Sequence, residues 1–296
     1  MLLAFLRMRA LFVFILFFLS LASRAEDAPK TLEVPEPSWA FARQQLVLAK
    51  FSEPFIAQLK KDYDKDGFEE VIRLNVLLFL KKSDYHGPQV NDQAISETTV
   101  FSKENAATLK KAERQFGVSG KVVASLLFLE SRYGKNAGHF HVPSVYVHLI
   151  QSPRKDVQDY LLTQTSRYTE SVTPEQKMRI LTRTHDKAKF ALKELHALER
   201  VFKWKWKLGS EFTGSFSGAF GMPQFLPSSY ISFARAVAPK SQPDLSHADD
   251  AIMSVAFYLR QHGWKARASK SHTKALMAYN NSSDYAAAIL SLSEKL

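Results

Sequence analysis

The stretch Val122-Val123-Ala124-Ser125-Leu126-Leu127-Phe128-Leu129-Glu130-Ser131-Arg132-Tyr133-Gly134 decides how this chain is read. Its first eight residues carry no charge and are apolar on nearly every side, which predicts a helix over Lys121 to Arg132 that is buried all round. Gly134 marks its end. Glu130 therefore stands at the C-terminal end of a buried helix, facing the negative pole of the helix dipole in an apolar setting. Both effects disfavour the charged carboxylate and predict a raised pKa. A proton held near neutral pH is what a general acid requires. A structural Glu, paired to Arg132 or to a backbone amide, is the alternative on local grounds.

Outward from this segment, helical signals dominate. Apolar spacing predicts helices over Ser38 to Lys50, Glu53 to Asp62 and Phe68 to Leu80. Ser83 to Val100 lacks periodicity and holds Gly87, Pro88, Asn91 and Asp92, so a long loop is expected there, with a soft domain boundary near Thr99. Ser102 is a candidate cap for a helix running to Phe116, ended by Gly117. Thr173 with Pro174 and Gln176 signals the start of a helix reaching about Trp206. Its end interleaves Lys203, Lys205 and Lys207 with Trp204 and Trp206, a pattern suited to a solvated helix end. Gly214, Gly218, Gly221, Pro223 and Pro227 break any helix, while Phe212, Phe216, Phe220 and Phe225 keep that segment apolar, so it must lie against something. Further helices are expected over Ser228 to Val237, Asp250 to His262 with Asp249 or Asp250 as cap, Thr273 to Tyr279 and Ser283 to Leu292. No strand pair or repeat stands out. The architecture expected is mainly α.

Composition narrows the class. The chain has 296 residues, 46% hydrophobic and 23% charged, a balance that excludes a disordered tail, a collagen-like repeat and a coiled-coil rod. With no cysteine, disulfides, thiolate metal sites and cysteine nucleophiles are impossible. Met1 to Arg9 carry Arg7 and Arg9, Ala10 to Ala22 are apolar, and Ser23-Arg24-Ala25 ends in small residues, the layout of a secretory signal cleaved after Ala25. The apolar run is shorter than a membrane span needs. Residues 26–37, with three prolines, read as a leader without regular structure. Removing three arginines takes the 40 basic residues to 37 against 29 acidic, a net charge of +8. That surface suits anionic partners, and export makes nucleic acid the least fitting of them. The expectation is an exported, soluble protein, periplasmic or secreted, monomeric and without a stable membrane anchor.

Several motifs invite a sharper reading and fail it. Asp62-Tyr63-Asp64-Lys65-Asp66-Gly67 copies half a calcium loop, but the twelfth position holds Arg73 where a bidentate acid is required, so a polar turn before the Phe68 helix is expected. His139 and His141 flank Phe140 without further ligands at metal spacing. The glycine-rich loop lacks the Gly-Lys-Ser/Thr ending of a nucleotide loop, and Ser217 lacks the Gly-x-Ser-x-Gly elbow.

Glu130-Ser131-Arg132-Tyr133-Gly134, taken with Gly214-Ser215-Phe216-Ser217-Gly218-Ala219-Phe220-Gly221-Met222-Pro223-Gln224-Phe225-Leu226-Pro227-Ser228-Ser229-Tyr230, resembles the membrane-bound lytic murein transglycosylase B family. Asp250-Ala251-Ile252 through Tyr258, His262-Gly263-Trp264 and Tyr279-Asn280-Asn281-Ser282 match further, in family order, over roughly Phe101 to Leu296. The resemblance implies a lysozyme-like catalytic core over 100–296, preceded by a helical region over 38–99. It implies a glycan groove that takes peptidoglycan strands. No cofactor and no metal are expected in this chain. Glu130 would be the catalytic acid and then base, cleaving the bond between N-acetylmuramic acid and N-acetylglucosamine. Ser215, Gln224, Tyr258, Tyr279 and Asn280 would line the groove. A solitary acid suffices if the muramoyl C6 hydroxyl is the nucleophile, unlike in two-carboxylate glycosidases.

The sequence departs from the family in three places. Ala238-Pro239-Lys240-Ser241-Gln242-Pro243-Asp244 replaces the acidic calcium loop, so no calcium is expected there. Met222-Pro223 stands where the family has Tyr-Gly, and Ala137 to Pro143 is unlike its counterpart, so preference for a modified glycan lacking N-acetyl groups is an open expectation. Two alternatives accompany the transglycosylase reading. One is a lysozyme-type muramidase in which water attacks, with Asp284 or Asp156 available to assist. The other is a wall-binding module without turnover.

Overall fold

The computed structural model describes residues 32–81, 90–203, 212–238 and 241–296. The signal segment, the first half of the leader, and the Trp204 to Lys207 stripe lie outside the described residues. Among the described residues the chain is almost entirely helical, as the sequence predicts, and Leu32–Leu296 form one compact unit. No described helix is long and apolar enough to cross a membrane.

Three helices open the chain: α1 (Trp39–Leu48), α2 (Glu53–Lys61) and α3 (Phe68–Leu77), the last continued by a 3-10 turn over Leu78–Leu80. Ser38 caps α1, its Oγ accepting from the Phe41 amide. Gly67 takes φ +75° to launch α3, and the Asp66 amide donates to Asp64 Oδ1, so the half calcium loop is a polar turn. Of the loop expected over Ser83 to Val100, residues 83–89 lie outside the described residues and 92–100 are helix instead: α4 (Asp92–Glu104) starts where Asn91 Oδ1 accepts from the Ala94 amide at 2.9 Å. Asn91 and Asp92 are helix-start residues, and their polarity hides a short apolar stripe of Ala94, Thr98 and Phe101. α4 runs straight through Thr99, and buried residues before and after that point share one core. Ser102 lies inside α4, and the chain breaks at Asn105 before α5 (Ala106–Phe116), which ends at Gly117 with φ +70°.

At the centre stands α6 (Gly120–Ser131), with Val122 to Phe128 all buried. It packs against α4, α5 and two later helices, α11 (Ala248–Gln261) and α13 (Ser283–Glu294). The sequence reading missed α7 (Val142–Leu149) and α8 (Lys155–Thr163). α7 is buried along its whole length and so shows no period to read. α9 (Pro174–Lys203) begins with a reciprocal capping box: the Thr173 amide donates to Gln176 Oε1 at 2.9 Å and the Gln176 amide to Thr173 Oγ1 at 3.2 Å. α10 (Pro227–Phe233) and α12 (Ser269–Tyr279) complete the helices.

α11 starts at His247, earlier than the Asp249 or Asp250 expected. The Asp250 carboxylate is occupied elsewhere, accepting from the amides of Val237 at 2.7 Å and Asp244 at 2.8 Å and so clamping both ends of the loop between α10 and α11. Two short strands, absent from the sequence reading, pair antiparallel: β1 (Phe140–His141) and β2 (Thr213–Gly214). At two residues each they are too short for an alternating pattern to register.

Candidate functional site

Glu130 lies in the last turn of α6, which stops abruptly. Arg132, Tyr133 and Gly134 take φ of +47°, +60° and +87° in succession, three left-handed residues of which only one is glycine. The strain of the other two is held by packing: the Tyr133 ring stacks on Phe101 at 3.9 Å, and the Arg132 guanidinium pairs with Glu97. Arg132 is thus committed away from Glu130.

The Glu130 carboxyl is part-buried, and its partner is Tyr285, whose O–H donates to Oε1. Burial pushes the Glu130 pKa from 4.5 up to about 7, with the Tyr285 hydroxyl acting in the opposite sense. Among the described residues no charged neighbour contributes to that shift. Two buried acids differ from it in each being held by the amide and the hydroxyl of one serine. Glu194 accepts from the Ser228 amide and hydroxyl, capping α10, and Glu199 accepts from the Ser52 amide and hydroxyl. Glu130, by contrast, has a raised pKa, is partly open to solvent and is held by one hydroxyl.

Aromatic side chains gather beside it. Tyr279 and Tyr285 both have hydroxyls pushed above their ordinary pKa, first by burial and then by the Glu130 charge, so Tyr285 stays a donor throughout the working pH range. Tyr258 packs edge-on to Tyr279 at 4.7 Å, and Phe225 lies 5.7 Å from Tyr258 and 5.9 Å from Tyr279. The hydroxyls of the two predicted groove tyrosines are committed to backbone. Tyr258 donates to Ala278 O at 2.7 Å and Tyr279 donates to Pro223 O. These residues brace α12 and the glycine-rich loop around Glu130.

That loop is fastened to the end of α6. Ser131 Oγ donates to Met222 O at 2.7 Å and accepts from the Gly134 amide at 2.8 Å, and the Met222 amide donates to Leu245 O at 2.8 Å. Gly218 has no room for a side chain: a Cβ there would lie 2.4 Å from the Tyr146 ring, whose hydroxyl donates to Gly218 O at 2.8 Å. Ser215 turns inward, its Oγ accepting from the amides of Ser217 at 3.3 Å and Ala219 at 3.2 Å. Gln224, at φ +50°, donates Nε2 to Ala137 O and Gly221 O, both at 3.0 Å, which leaves its Oε1 as an acceptor. Asn280 caps the end of α12 and is exposed, next to Tyr279.

Sequence reasoning thus placed Glu130, Tyr258 and Tyr279 in one neighbourhood but missed Tyr285, the residue that touches the acid. Its signal is slight: a Tyr in the first turn of α13, beside the cap Ser282. His139 and His141 do not share the Glu130 site. His141 Nδ1 lies 2.7 Å from Ser144 Oγ, and His139 stacks on Phe140. Asp156 pairs with Arg154, and Asp284 is exposed. No group of three or more metal-ligating side chains converges among the described residues.

A mainly helical fold that sets the part-buried Glu130 beside a glycine-rich loop is the arrangement of the lysozyme-like class. Within it, residues 78–273 match the transglycosylase SLT domain, and the chain belongs to that family. It is 23% identical over 180 residues, 61% of this chain, to membrane-bound lytic murein transglycosylase B of Escherichia coli strain K12, of whose length it spans 41%. In fold it is similar to the catenated lytic transglycosylase SltB1 from Pseudomonas aeruginosa (TM-score 0.65, 19% identity, covering 86% of this chain and 95% of that one). It is also similar to SltB3 from the same organism in complex with NAG-NAM-pentapeptide (TM-score 0.61, 17% identity, 86% and 78%).

Proposed function

We propose that this protein is a peptidoglycan lytic transglycosylase. The observation that carries the reading is Glu130: a part-buried carboxylic acid with a pKa of about 7, a neutral donor as its partner and, among the described residues, no charged neighbour shifting it. Membership of the transglycosylase SLT family supports it, as does the likeness in fold to SltB3, whose structure holds NAG-NAM-pentapeptide.

In the proposed reaction the protonated Glu130 gives its proton to the glycosidic oxygen between N-acetylmuramic acid and N-acetylglucosamine. The C1–O bond breaks, leaving an oxocarbenium-like centre on the muramoyl ring and an ionised Glu130. The carboxylate, steadied by the Tyr285 O–H, then takes the proton of the muramoyl C6 hydroxyl as O6 bonds to C1. Glu130 ends protonated, and no water is consumed. A pKa near 7 suits both halves, since the same group must donate and then accept. Ser215, Gln224 and Asn280 border the sugar, with Tyr258 and Tyr279 forming the aromatic wall behind it.

Dye release from labelled sacculi tests this, comparing wild type with Glu130→Gln. The variant is expected to lose release by several orders of magnitude while still sedimenting with sacculi; undiminished release would remove Glu130 from the mechanism. We also propose that 1–25 direct export and that the enzyme works as a monomer. N-terminal sequencing of protein from the periplasm or medium, expected to begin at Glu26, and sedimentation at working concentration check both.

A further inference from the structure

A cavity of about 160 Å³ lies against β1, and Glu130 is not among its lining residues. Its wall is formed by β1, the start of α3 and the face of α7. Three carboxylates line it, Asp64, Asp66 and Glu70, all exposed at its mouth, and no Lys or Arg does. Val71, Val145 and Phe140 supply an apolar lining.

His148, 1% exposed, also lines the cavity. Its Nε2 lies 3.0 Å from Asp64 O, and because a carbonyl can only accept, that nitrogen carries the proton. The ring is fixed edge-on between Tyr63 and Phe68, and burial takes its pKa down to about 4, so it is neutral at pH 7. Nδ1 is therefore a bare acceptor, buried and without a hydrogen-bond partner among the described residues. A buried acceptor left unmet is costly, and its natural complement is an N–H or O–H donor. The carboxylates favour a donor with positive charge. They do not converge with the imidazoles into a metal-holding group. The charge they suit is that of an organic cation, and the apolar lining suits a short methylene chain behind it. The volume is comparable to a cavity that admits benzene, enough for an aminoalkyl end and too small for a disaccharide.

We propose that this pocket binds a primary ammonium group of the cell-wall substrate, its N–H donating to His148 Nδ1 and its charge met by Asp64, Asp66 and Glu70. The pocket is adjacent to the groove through the backbone: β1 pairs with β2, which leads into Ser215, and Gln224 holds Ala137 three residues before β1. The assignment to the wall rests on the transglycosylase reading, whereas the binding of ammonium does not. An amine can come from the peptide attached to the glycan or from a sugar lacking its acetyl group.

The test has two arms. The full chain labelled with ¹⁵N-histidine is titrated with n-butylammonium chloride and, separately, with n-butanol, following the His148 Nδ1 resonance. A saturable upfield shift with butylammonium, several-fold weaker in the Asp66→Asn/Glu70→Gln double variant and absent with butanol, is expected. No shift, or an equal one with butanol, overturns the site. In the second arm wild type and Glu70→Gln digest intact sacculi, sacculi with acetylated peptide amines and de-N-acetylated sacculi. A several-fold rate ratio that collapses when peptide amines are capped assigns the peptide; one that grows on de-N-acetylated walls assigns the sugar. A ratio of one on all three overturns the substrate assignment. If wild type cuts no wall, the transglycosylase reading fails, and the titration still decides the pocket.

Discussion

Replacing Glu130 by Gln should make the protein more stable than wild type above neutral pH, by an amount the site itself sets. The Glu130 pKa is raised from 4.5 to about 7, chiefly by burial. A raised carboxyl pKa means the unfolded chain releases the proton first. Its stabilising contribution is complete below pH 4.5 and is lost as pH rises to about 7, after which both states are ionised. The interval from 4.5 to about 7, at about 1.4 kcal/mol per pH unit, comes to about 3 kcal/mol. Because the carboxyl is partly open to water, that figure is a ceiling. The amide that replaces the carboxyl does not titrate and keeps an acceptor for the Tyr285 hydroxyl. The neutral His148 costs stability in acid as pH falls from 6.5 towards 4, but it does so equally in both proteins and cancels in the difference. Urea unfolding of wild type and variant at half-unit steps from pH 4.5 to 8.5 reads the effect. The variant's advantage is expected to grow by 2 to 3 kcal/mol, roughly, across that range, mostly before pH 7.5. A difference constant to within about 0.5 kcal/mol would show that Glu130 is ionised throughout and would refute the general-acid argument.

Three further outcomes follow from the same contacts. Tyr285→Phe removes a donor to the ionised Glu130, worth about 1.5 to 3 kcal/mol for a bond to a charged group, so the alkaline limb of the pH–rate profile should move up by about one to two pH units; an unmoved limb would count against the contact. Gly218→Ala drives a Cβ against the Tyr146 ring at φ +80° and should lower stability by about 2 kcal/mol or more in urea unfolding. Ser131→Ala unties the Met222 carbonyl and the Gly134 amide from the end of α6. It should cost about 1 to 3 kcal/mol of stability and lower kcat more than it raises KM, because it loosens the loop over the acid, as steady-state kinetics on soluble glycan strands would show.

The fold was legible where one face or all faces of a helix are apolar in sequence. α6 declared itself because eight consecutive residues carry no charge, and α9 because its capping box is written in three residues. α4 was hidden by Asn91 and Asp92, which cap a helix as readily as they make a loop. α7 was hidden because a fully buried eight-residue helix has no polar face to set a period. The raised pKa of Glu130 was legible for a physical reason, since a carboxylate at the end of an apolar helix resists ionisation, whereas the role proposed for it came from the resemblance. The surroundings of Glu130 were not legible. Tyr285 lies 155 residues away in sequence, and only the packing of α13 on α6 brings its hydroxyl to the carboxyl. Tyr258 and Tyr279 were found by resemblance, yet their hydroxyls hold backbone carbonyls, which no local pattern predicts. The acidic pocket was half visible as a failed calcium loop. His148, which gives the pocket its second feature, carries no signal in sequence, because a single histidine on a buried helix reads as core.

In the proposed mechanism the glycan's own C6 hydroxyl, deprotonated by Glu130, closes the reaction without water. Mass analysis of the soluble products from purified sacculi decides whether it does, with wild type and Glu130→Gln digested in parallel. Wild type should release muramoyl ends one water lighter than hydrolytic fragments, and the variant none. Full-mass reducing ends from wild type would exclude the C6 hydroxyl as nucleophile and make the protein a lysozyme that admits water to the same acid.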